Sequence, residues 1–176
     1  MRYYKDNFNV SLRNVRNIYS KNINYEYMSE DLINTIREYI SDFNGYSQEN
    51  YIESESSIRK KSIDELQIGM NLIKEQLANN KLNDLKKSVG EIVIEKFKAS
   101  VENLNKNLEI TDFSNEKMTD LLTQDINLIT KSIAIKEKSV RVSREIPNAR
   151  SWDSEIDELY KKLKELSPVI KKRTSQ

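Results

Sequence analysis

The stretch that decides the fold is residues 118–142, which reads MTDLLTQDINLITKSIAIKEKSVRV. Apolar residues recur in it every seven positions, at Leu121, Leu128, Ile135 and Val142. A second apolar row runs beside the first, at Met118, Leu122, Ile129 and Ile133. Seven residues are close to two turns of an α-helix, so each row lies along one helix face. The combined stripe is wide enough to meet two neighbouring helices, which is typical of a helical bundle.

The N-terminal part of the chain has a weaker helical pattern. Residues 1–28 are rich in Tyr and Asn, and their apolar spacing predicts a short helix near 9–20. Ser29 is a good N-cap, and Asn44–Gly45 provides the left-handed residue that commonly ends a helix. These signals predict a helix over residues 29–43. The polar residues 46–56 are interpreted as a linker or as the frayed start of the next helix.

The middle of the chain carries two further apolar stripes. One steps by three and four residues through 63–77, and the second continues from Leu82 through Leu85, Val89 and Ile92 towards Leu108. Asn79–Asn80 separates them, either as a tight turn or as a polar step within one long helix. A step of five residues from Ile92 to Phe97 breaks the heptad phase. This break indicates a bend or a change of facing partner.

Turn-forming residues mark the last two helices. Caps at Thr111, Asp112 and Ser114 predict a helix that opens near residue 115, and Ile146–Pro147 ends it. The last helix is predicted to start within residues 151–154 and to stop at Ser167–Pro168. A basic tail, residues 171–176, is then expected beyond the helix.

The sequence therefore predicts an all-α fold, an elongated antiparallel bundle of coiled-coil-like helices. It has four or five main helices plus the weak N-terminal one. Only three glycines and two prolines occur in 176 residues, too few for the frequent turns of a β-sandwich or barrel. Two parts are expected: an N-terminal segment, 1–28, and a helical bundle domain, 29–176. Helices of unequal length would leave apolar stripes uncovered, which predicts a protein partner or self-association.

Composition restricts the chemistry that is available. Cysteine and histidine are both absent, which removes thiol and imidazole nucleophiles, bases and metal ligands. The three glycines are isolated, so the sequence contains no phosphate-binding loop. We therefore predict no catalytic residue, no metal and no cofactor, and a protein that is not an enzyme.

Charge and hydropathy are those expected of a soluble protein. Lys and Arg number 29 against 28 Asp and Glu, so no overall field attracts nucleic acid or an acidic membrane. No apolar run is long enough to span a membrane, and residues 1–10 lack the apolar core of a signal peptide. These features predict a cytoplasmic protein, with non-classical secretion left open.

Two features are candidates for binding. Trp152, the only tryptophan, is either an exposed anchor for a partner or, with the greater weight, a structural residue at a helix start. Segment 131–150 has a net charge of +4 and carries the candidate interaction residues Lys136, Lys138, Arg141, Arg144 and Arg150. Together with the basic tail, it is the basis of an alternative in which the protein binds nucleic acid or an acidic surface. The interpretation we favour is a solvated helix face, because aromatic residues are not interleaved with the cations.

A second alternative is a secreted helical effector, or its partner, from a Gram-positive bacterium. Tyr27–Asp31 and Tyr51–Glu55 fit the Tyr-x-x-x-Asp/Glu export pattern of the small secreted helical hairpins of such bacteria. The Trp-x-Gly turn of those proteins is missing, and nine tyrosines make one or two matches expected by chance. The chain is similar to them in architecture only, and we assign it to no family. The function that the sequence favours is a non-enzymatic interaction protein: an adaptor, an assembly subunit or an inhibitor.

Overall fold

The computed structural model describes residues 28–174, which form five α-helices. Helix α1 covers residues 28–37 of this range. The others are α2 (Tyr51–Asn79), α3 (Asp84–Leu104), α4 (Asn115–Arg144) and α5 (Arg150–Thr174). Residues 28–174 contain no β-strand, so the prediction of an all-α bundle is confirmed. The helix predicted near 9–20 lies outside the described residues.

Helices α2 to α5 form a four-helix bundle made of two hairpins. Short connections, 80–83 and 145–149, make each hairpin antiparallel. The hairpins point the same way, because Gln76 near the end of α2 donates a hydrogen bond to the carbonyl of Val142 near the end of α4, at 2.8 Å. Helix α2 packs against α3 and α4, and α5 packs against the same two helices. Helices α2 and α5 therefore lie on one diagonal of the bundle, and α3 and α4 on the other.

The apolar rows of α4 face the core as predicted. Leu121, Leu128, Ile135 and Val142 are all at most 1% exposed. The helix begins at Asn115, as its caps predict, and ends at Arg144, two residues before Ile146. Its stripe meets α2 on one side and α5 on the other, which explains why the stripe has to be wide.

Small residues at the centre of the core allow the helices to approach closely. Gly69 of α2 faces Ser139 of α4 and the Phe97 ring of α3, and a Cβ atom added at residue 69 would lie 2.9 Å from Ser139 Oγ. The Phe97 ring is fully buried in the space that these small residues leave. The buried positions of α3 step by three and four residues, at Gly90, Val93, Phe97, Ser100 and Leu104.

The connection between α2 and α3 is a turn. Helix α2 ends at Asn79, and Asn80 adopts an extended backbone with φ −119° and ψ 141°. Asn83 then caps α3, because its side-chain oxygen accepts a hydrogen bond from the Lys86 amide at 2.9 Å. Of the two alternatives for Asn79–Asn80, the tight turn is therefore the one observed.

Helix α1 ends earlier than the sequence predicts. The α-helix stops at residue 37 rather than 43, and the chain turns before Gly45, whose φ is +80°. The Arg37 guanidinium closes this turn by donating to the Phe43 carbonyl at 2.8 Å and to the Asn34 and Asn44 side chains. The turn buries Phe43, which is 2% exposed. Gly45 has the predicted left-handed conformation, but it lies in the loop and not at the helix end.

Helix α5 ends later than the sequence predicts. Pro168 lies inside the helix, which continues to Thr174. A proline removes one backbone hydrogen bond. Burial of two side chains beyond it compensates for this loss, because Ile170 is 4% and Arg173 is 1% exposed. Lys171, Lys172 and Arg173 therefore belong to the last turns of α5 and not to a tail beyond it.

Candidate interaction surface

Helix α3 carries apolar residues on a flank that no other described helix covers. Leu85 is 75% and Ile92 is 53% exposed. Ala99, seven residues further on, is also exposed. Residues spaced by seven lie on the same side of a helix, so these three form a stripe that points away from the core.

The sequence places Leu85 and Ile92 in one apolar stripe of α3 without indicating that this stripe is exposed, and in the structure both residues point away from the core. The face of α3 that points to the core passes through Gly90 and Ser100, two small residues that a search for apolar side chains passes over. The feature of the sequence that indicates this exposure is the five-residue step from Ile92 to Phe97. It marks the change from the exposed flank to the buried face, in a helix that runs unbroken from Asp84 to Leu104.

A groove runs beside this stripe, between α3 and α5. Its volume is about 430 Å³. We call it the α3–α5 groove and define it by its lining residues, Val89, Ile92, Val93, Asp153, Ile156, Asp157 and Tyr160. Val93 and Ile156 form its buried floor, at 1% and 2% exposure. The groove is therefore an open apolar channel whose walls include one carboxylate pair.

Charges are distributed unevenly along the α3–α5 groove. The two helices run in the same direction, since Lys86 near the start of α3 pairs with Asp153 near the start of α5 at 2.9 Å. Asp153 and Asp157 lie towards the N-terminal ends of the helices, whereas Lys96 and Lys164 lie towards the C-terminal ends. Each of the two carboxylates has a lysine beside it, Lys86 for Asp153 and Lys161 for Asp157, so neither end of the surface carries charges of one sign only.

The carboxylates of the groove are exposed although each has a lysine partner. Asp153 is 55% exposed beside Lys86, and Asp157 is 59% exposed at 2.7 Å from Lys161. Ion pairs between exposed side chains contribute little free energy and are easily exchanged. Both carboxylates can therefore interact with a partner. At the other end, the Lys164 Nζ lies 5.8 Å from the centre of the Tyr160 ring.

Trp152 is a core residue. Its exposure is 0%, and its indole N–H donates a hydrogen bond of 2.9 Å to Gln76 Oε1 on the diagonal helix α2. The Lys86 Nζ lies 5.4 Å from the ring centre and covers one side of it. The indole is therefore not presented to a partner. Its burial agrees with the interpretation of Trp152 as a structural residue at a helix start.

The cations of segment 131–150 fall into two groups. The first group contacts carboxylates: Lys131 pairs with Glu165 at 3.6 Å, Lys136 with Glu65 at 2.5 Å, and Lys138 with Glu155 and Glu158. The second group is exposed and consists of Arg141, Arg144 and Arg150. Half of the predicted basic patch thus takes part in contacts between helices.

Lys138 shows most clearly how these contacts work. It is 5% exposed, and its ammonium group lies 2.7 Å from Glu155 and also contacts Glu158. Burial lowers the pKa of Lys138, but the hydrogen bonds and charges of the two glutamates outweigh it and raise the pKa above its usual value. The side chain therefore joins α4 to α5 as a cation and is not part of an exposed basic surface.

The third residue of the expected basic tail lies in a buried polar network. Arg173 Nε donates to Asp125 at 2.6 Å, and its Nη1 donates to Glu55 at 3.2 Å. Asp125 also accepts a hydrogen bond of 2.5 Å from the Tyr46 hydroxyl, and Arg59 lies 3.4 Å from Glu55. The network joins α5 to α2 and α4. In the sequence, the spacing of its charged residues looks the same as that of charged residues on a helix surface, so the network could not be predicted.

The electrostatics of this network follow from its burial. Burial raises the pKa of Asp125, and Arg173 and Tyr46 oppose that effect. Burial and the neighbouring Asp125 carboxylate raise the pKa of Tyr46 well above its usual value. Asp125 is 0% and Arg173 is 1% exposed, so the network has no opening to a substrate. Its hydrogen bonds and ion pairs join three helices and stabilise the fold.

Glu55, the acidic residue of the Tyr51–Glu55 export-type pattern, is also part of this network. Glu55 is 3% exposed, and Tyr51 begins helix α2 and packs edge-on against Phe113 with 5.7 Å between ring centres. A receptor could not reach the Glu55 carboxylate without unfolding the start of α2. Among residues 28–174, no group of three or more acidic side chains is arranged to hold a metal ion.

Comparison with protein-family models, with curated proteins and with solved structures found no match to this chain. In the described part of the chain, every helix is too short or too polar to cross a lipid bilayer. The geometry of residues 28–174 is therefore the basis for a functional proposal.

Proposed function

We propose that this protein is a non-enzymatic interaction protein that docks a partner through the α3–α5 groove. The observation that carries the proposal is the exposed apolar stripe of α3 beside that groove. Leu85 and Ile92 are more than half exposed. By contrast, the apolar residues of α4 that also recur every seven positions are buried. Exposed apolar side chains that line a concave surface are typical of protein-binding sites.

The energetic argument rests on the two large exposed residues. Complete burial of a leucine or isoleucine side chain contributes about 1.5–3 kcal/mol. Leu85, at 75% exposure, retains most of this contribution, and Ile92, at 53% exposure, retains about half of it. A helix laid along the groove would cover both and would contact the floor at Val93 and Ile156. The polar side chains at the two ends would fix its direction.

The buried ionisable groups support a non-enzymatic role. Arg173 donates hydrogen bonds to both Asp125 and Glu55 in the core, on a different side of the bundle from the groove. The groove itself contains two carboxylates that are exposed and paired with lysines. An adaptor, an assembly subunit and an inhibitor all fit this arrangement, and each would act by presenting a helix-packing surface.

Site-specific photo-crosslinking in the cells that express the protein tests the proposal. A photoreactive residue replaces Ile92 in one variant and Ile68 in the control. Ile68 is 49% exposed and lies on α2, which does not line the groove. We expect a discrete covalent adduct from position 92 and none from position 68. Equal adducts from the two positions, or none from position 92, would refute the groove as a docking site.

A further inference from the structure

We propose that the end of the bundle that carries the loops 80–83 and 145–149 binds a negatively charged lipid surface, with the Ile146 side chain inserted among the headgroups. We call this region the loop end and define it as residues 79–87 and 141–150. The inference goes beyond the proposed docking function, because the loop end is a second surface that needs no partner in the α3–α5 groove. Its basis is an exposed isoleucine that lies among exposed cations.

Hydrogen bonds join the two loops of the loop end into one surface. The Asn148 side chain donates to the Lys81 carbonyl at 3.2 Å, and the Lys86 ammonium group donates to the Ala149 carbonyl at 3.3 Å. Pro147, between these contacts, is buried. The two loops are therefore held in a fixed position relative to each other, and the side chains that they expose act as one set.

Cations outnumber carboxylates at the loop end. It contains six Lys and Arg residues against two carboxylates, a net charge of +4. One of the six, Lys86, pairs with Asp153. The other five are exposed, and within residues 28–174 none of them forms an ion pair. They are Lys81, Lys87, Arg141, Arg144 and Arg150.

The carboxylates in and near the loop end do not cancel this charge. Glu145 is half-buried, and Asp84 lies in the first turn of α3, where the helix dipole favours a carboxylate. Glu75 and Glu137 are exposed, but they lie about one and two helical turns away from the loops, and Lys74 is exposed beside Glu75. The positive charge is therefore concentrated at the tip of the bundle.

Ile146 is the large apolar side chain exposed in this charged region. It is 72% exposed, with Arg144 two residues before it and Arg150 four residues after it. Proteins bind anionic bilayers from one side by burying apolar side chains at the headgroup level and by attracting the lipid phosphates with Lys and Arg. The loop end offers both kinds of contact at the same place.

Ile52 at the opposite end of the bundle has a similar exposure but the opposite charge around it. It is 70% exposed in the first turn of α2, and both Glu49 and Glu53 beside it are exposed. An anionic bilayer would repel these carboxylates. Charge therefore distinguishes the two isoleucines, and Ile52 is a matched control for Ile146.

A lipid surface fits the loop end better than nucleic acid does. Proteins that bind single strands combine cations with aromatic side chains on which the bases stack. Residues 79–87 and 141–150 contain no aromatic residue. A phosphate backbone would also leave the Ile146 side chain in water, whereas the boundary of the acyl chains would cover it.

Sedimentation with lipid vesicles measures the binding. The vesicles consist of phosphatidylcholine, with or without about 30% phosphatidylserine, at about 0.1 M salt. We expect binding to the vesicles that contain phosphatidylserine and little binding to the others. Ile146→Ser should bind about tenfold more weakly, because the apolar contact is lost, and Ile52→Ser should bind like the unchanged protein.

A charge reversal separates the loop end from the net charge of the protein. Arg144→Glu replaces an attraction to the lipid by a repulsion, so we expect binding to phosphatidylserine vesicles to weaken about tenfold. Lys60→Glu changes the net charge by the same amount at an exposed position of α2 away from the loops. This control should bind almost as well as the unchanged protein.

A fluorophore reports directly on insertion, because the chain has no cysteine and one can be introduced at a chosen residue. Ile146→Cys and Ile52→Cys are labelled with nitrobenzoxadiazole, whose emission shifts to the blue in an apolar environment. We expect the phosphatidylserine vesicles to shift the emission from position 146 and not from position 52. Heparin at the same salt concentration should shift neither.

The outcomes separate a lipid surface from its alternatives. No binding of the unchanged protein at about 1 mM lipid would overturn the inference. Binding that Ile146→Ser leaves unchanged, or an equal shift with heparin, would indicate a surface for polyanions in place of lipid. Equal weakening by Arg144→Glu and Lys60→Glu would show that the loop end is not the site. The adduct from position 92 tests the groove independently of all these results.

Discussion

Replacement of Arg173 by methionine is expected to destabilise the bundle strongly, although the residue lies in the last turn of α5. Methionine keeps most of the apolar length of the side chain but removes the hydrogen bonds to Asp125 at 2.6 Å and to Glu55 at 3.2 Å. Asp125 would then be a buried carboxylate that still accepts the hydrogen bond from the Tyr46 hydroxyl but has lost its cation. Loss of one partner from a buried ion pair costs about 3–5 kcal/mol.

Urea unfolding followed by circular dichroism at 222 nm measures this cost. A loss of about 3–5 kcal/mol would also lower the melting temperature by on the order of 10 °C. Lys172→Met is the matched control, because Lys172 is the adjacent residue and its side chain is 67% exposed at 3.5 Å from Asp120. A substitution of this kind usually changes stability by less than about 0.5 kcal/mol. Combining Arg173→Met with Asp125→Asn removes the unpaired charge and is expected to recover part of the loss.

The dependence on pH provides a second test of the same reasoning. Burial raises the pKa of Asp125 and Arg173 lowers it, so removal of Arg173 leaves the raising effect less opposed. A carboxyl group with a raised pKa in the folded state stabilises the protein below its unfolded pKa, and this contribution is lost as the pH rises through the folded pKa. The cost of Arg173→Met should therefore be smaller near about pH 4 than near about pH 7. An equal cost at both pH values, or a cost no larger than that of Lys172→Met, would refute the argument.

Four further outcomes are expected. Trp152→Phe removes a buried indole N–H and leaves its acceptor without that donor, so we expect a loss of about 1–3 kcal/mol in chemical unfolding. Gly69→Ala should be more destabilising than Gly90→Ala in the same assay, although the added methyl group comes closer to its neighbour at residue 90, because that neighbour is the flexible end of the partly buried Leu77, whereas at residue 69 it is the fully buried Ser139 and Phe97. Pro168→Ala restores a helix hydrogen bond and should raise stability by roughly 1–3 kcal/mol, and a lower melting temperature would contradict this. The partly paired segment 131–150 should give no retention on heparin at about 0.15 M salt, and strong retention would favour the nucleic-acid alternative.

The sequence predicts a helix reliably where its side chains contact a neighbouring helix along the whole length. The rows of α4 recur every seven residues, and the boundaries predicted from Ser114 and Ile146–Pro147 agree with those observed. Errors occur where one tertiary contact decides a helix end. The guanidinium of Arg37 closes a turn that the periodicity of residues 29–43 does not indicate. Burial of Arg173 extends α5 past Pro168, which local propensity treats as a helix end.

The interaction surface was harder to predict, because exposed and buried stripes have the same period. Apolar residues at Leu85 and Ile92 show the spacing of a core stripe, and their exposure depends on which face of α3 lies against α2 and α5. That face is determined by Gly90 and Ser100, whose small size allows the neighbouring helices to approach. Small residues with helical spacing are therefore the signal that indicates the buried face of this helix.

This distinction also links the core of the bundle to the proposed function. A helix with a single apolar stripe buries that stripe and presents polar residues to water. Helix α3 instead has two faces: a face of small and large residues packed around Phe97, and a separate flank that carries Ile92. The first face is buried within the bundle, whereas Ile92 on the second face remains 53% exposed. The apolar flank that the described helices leave uncovered is the observation on which the proposed docking function rests.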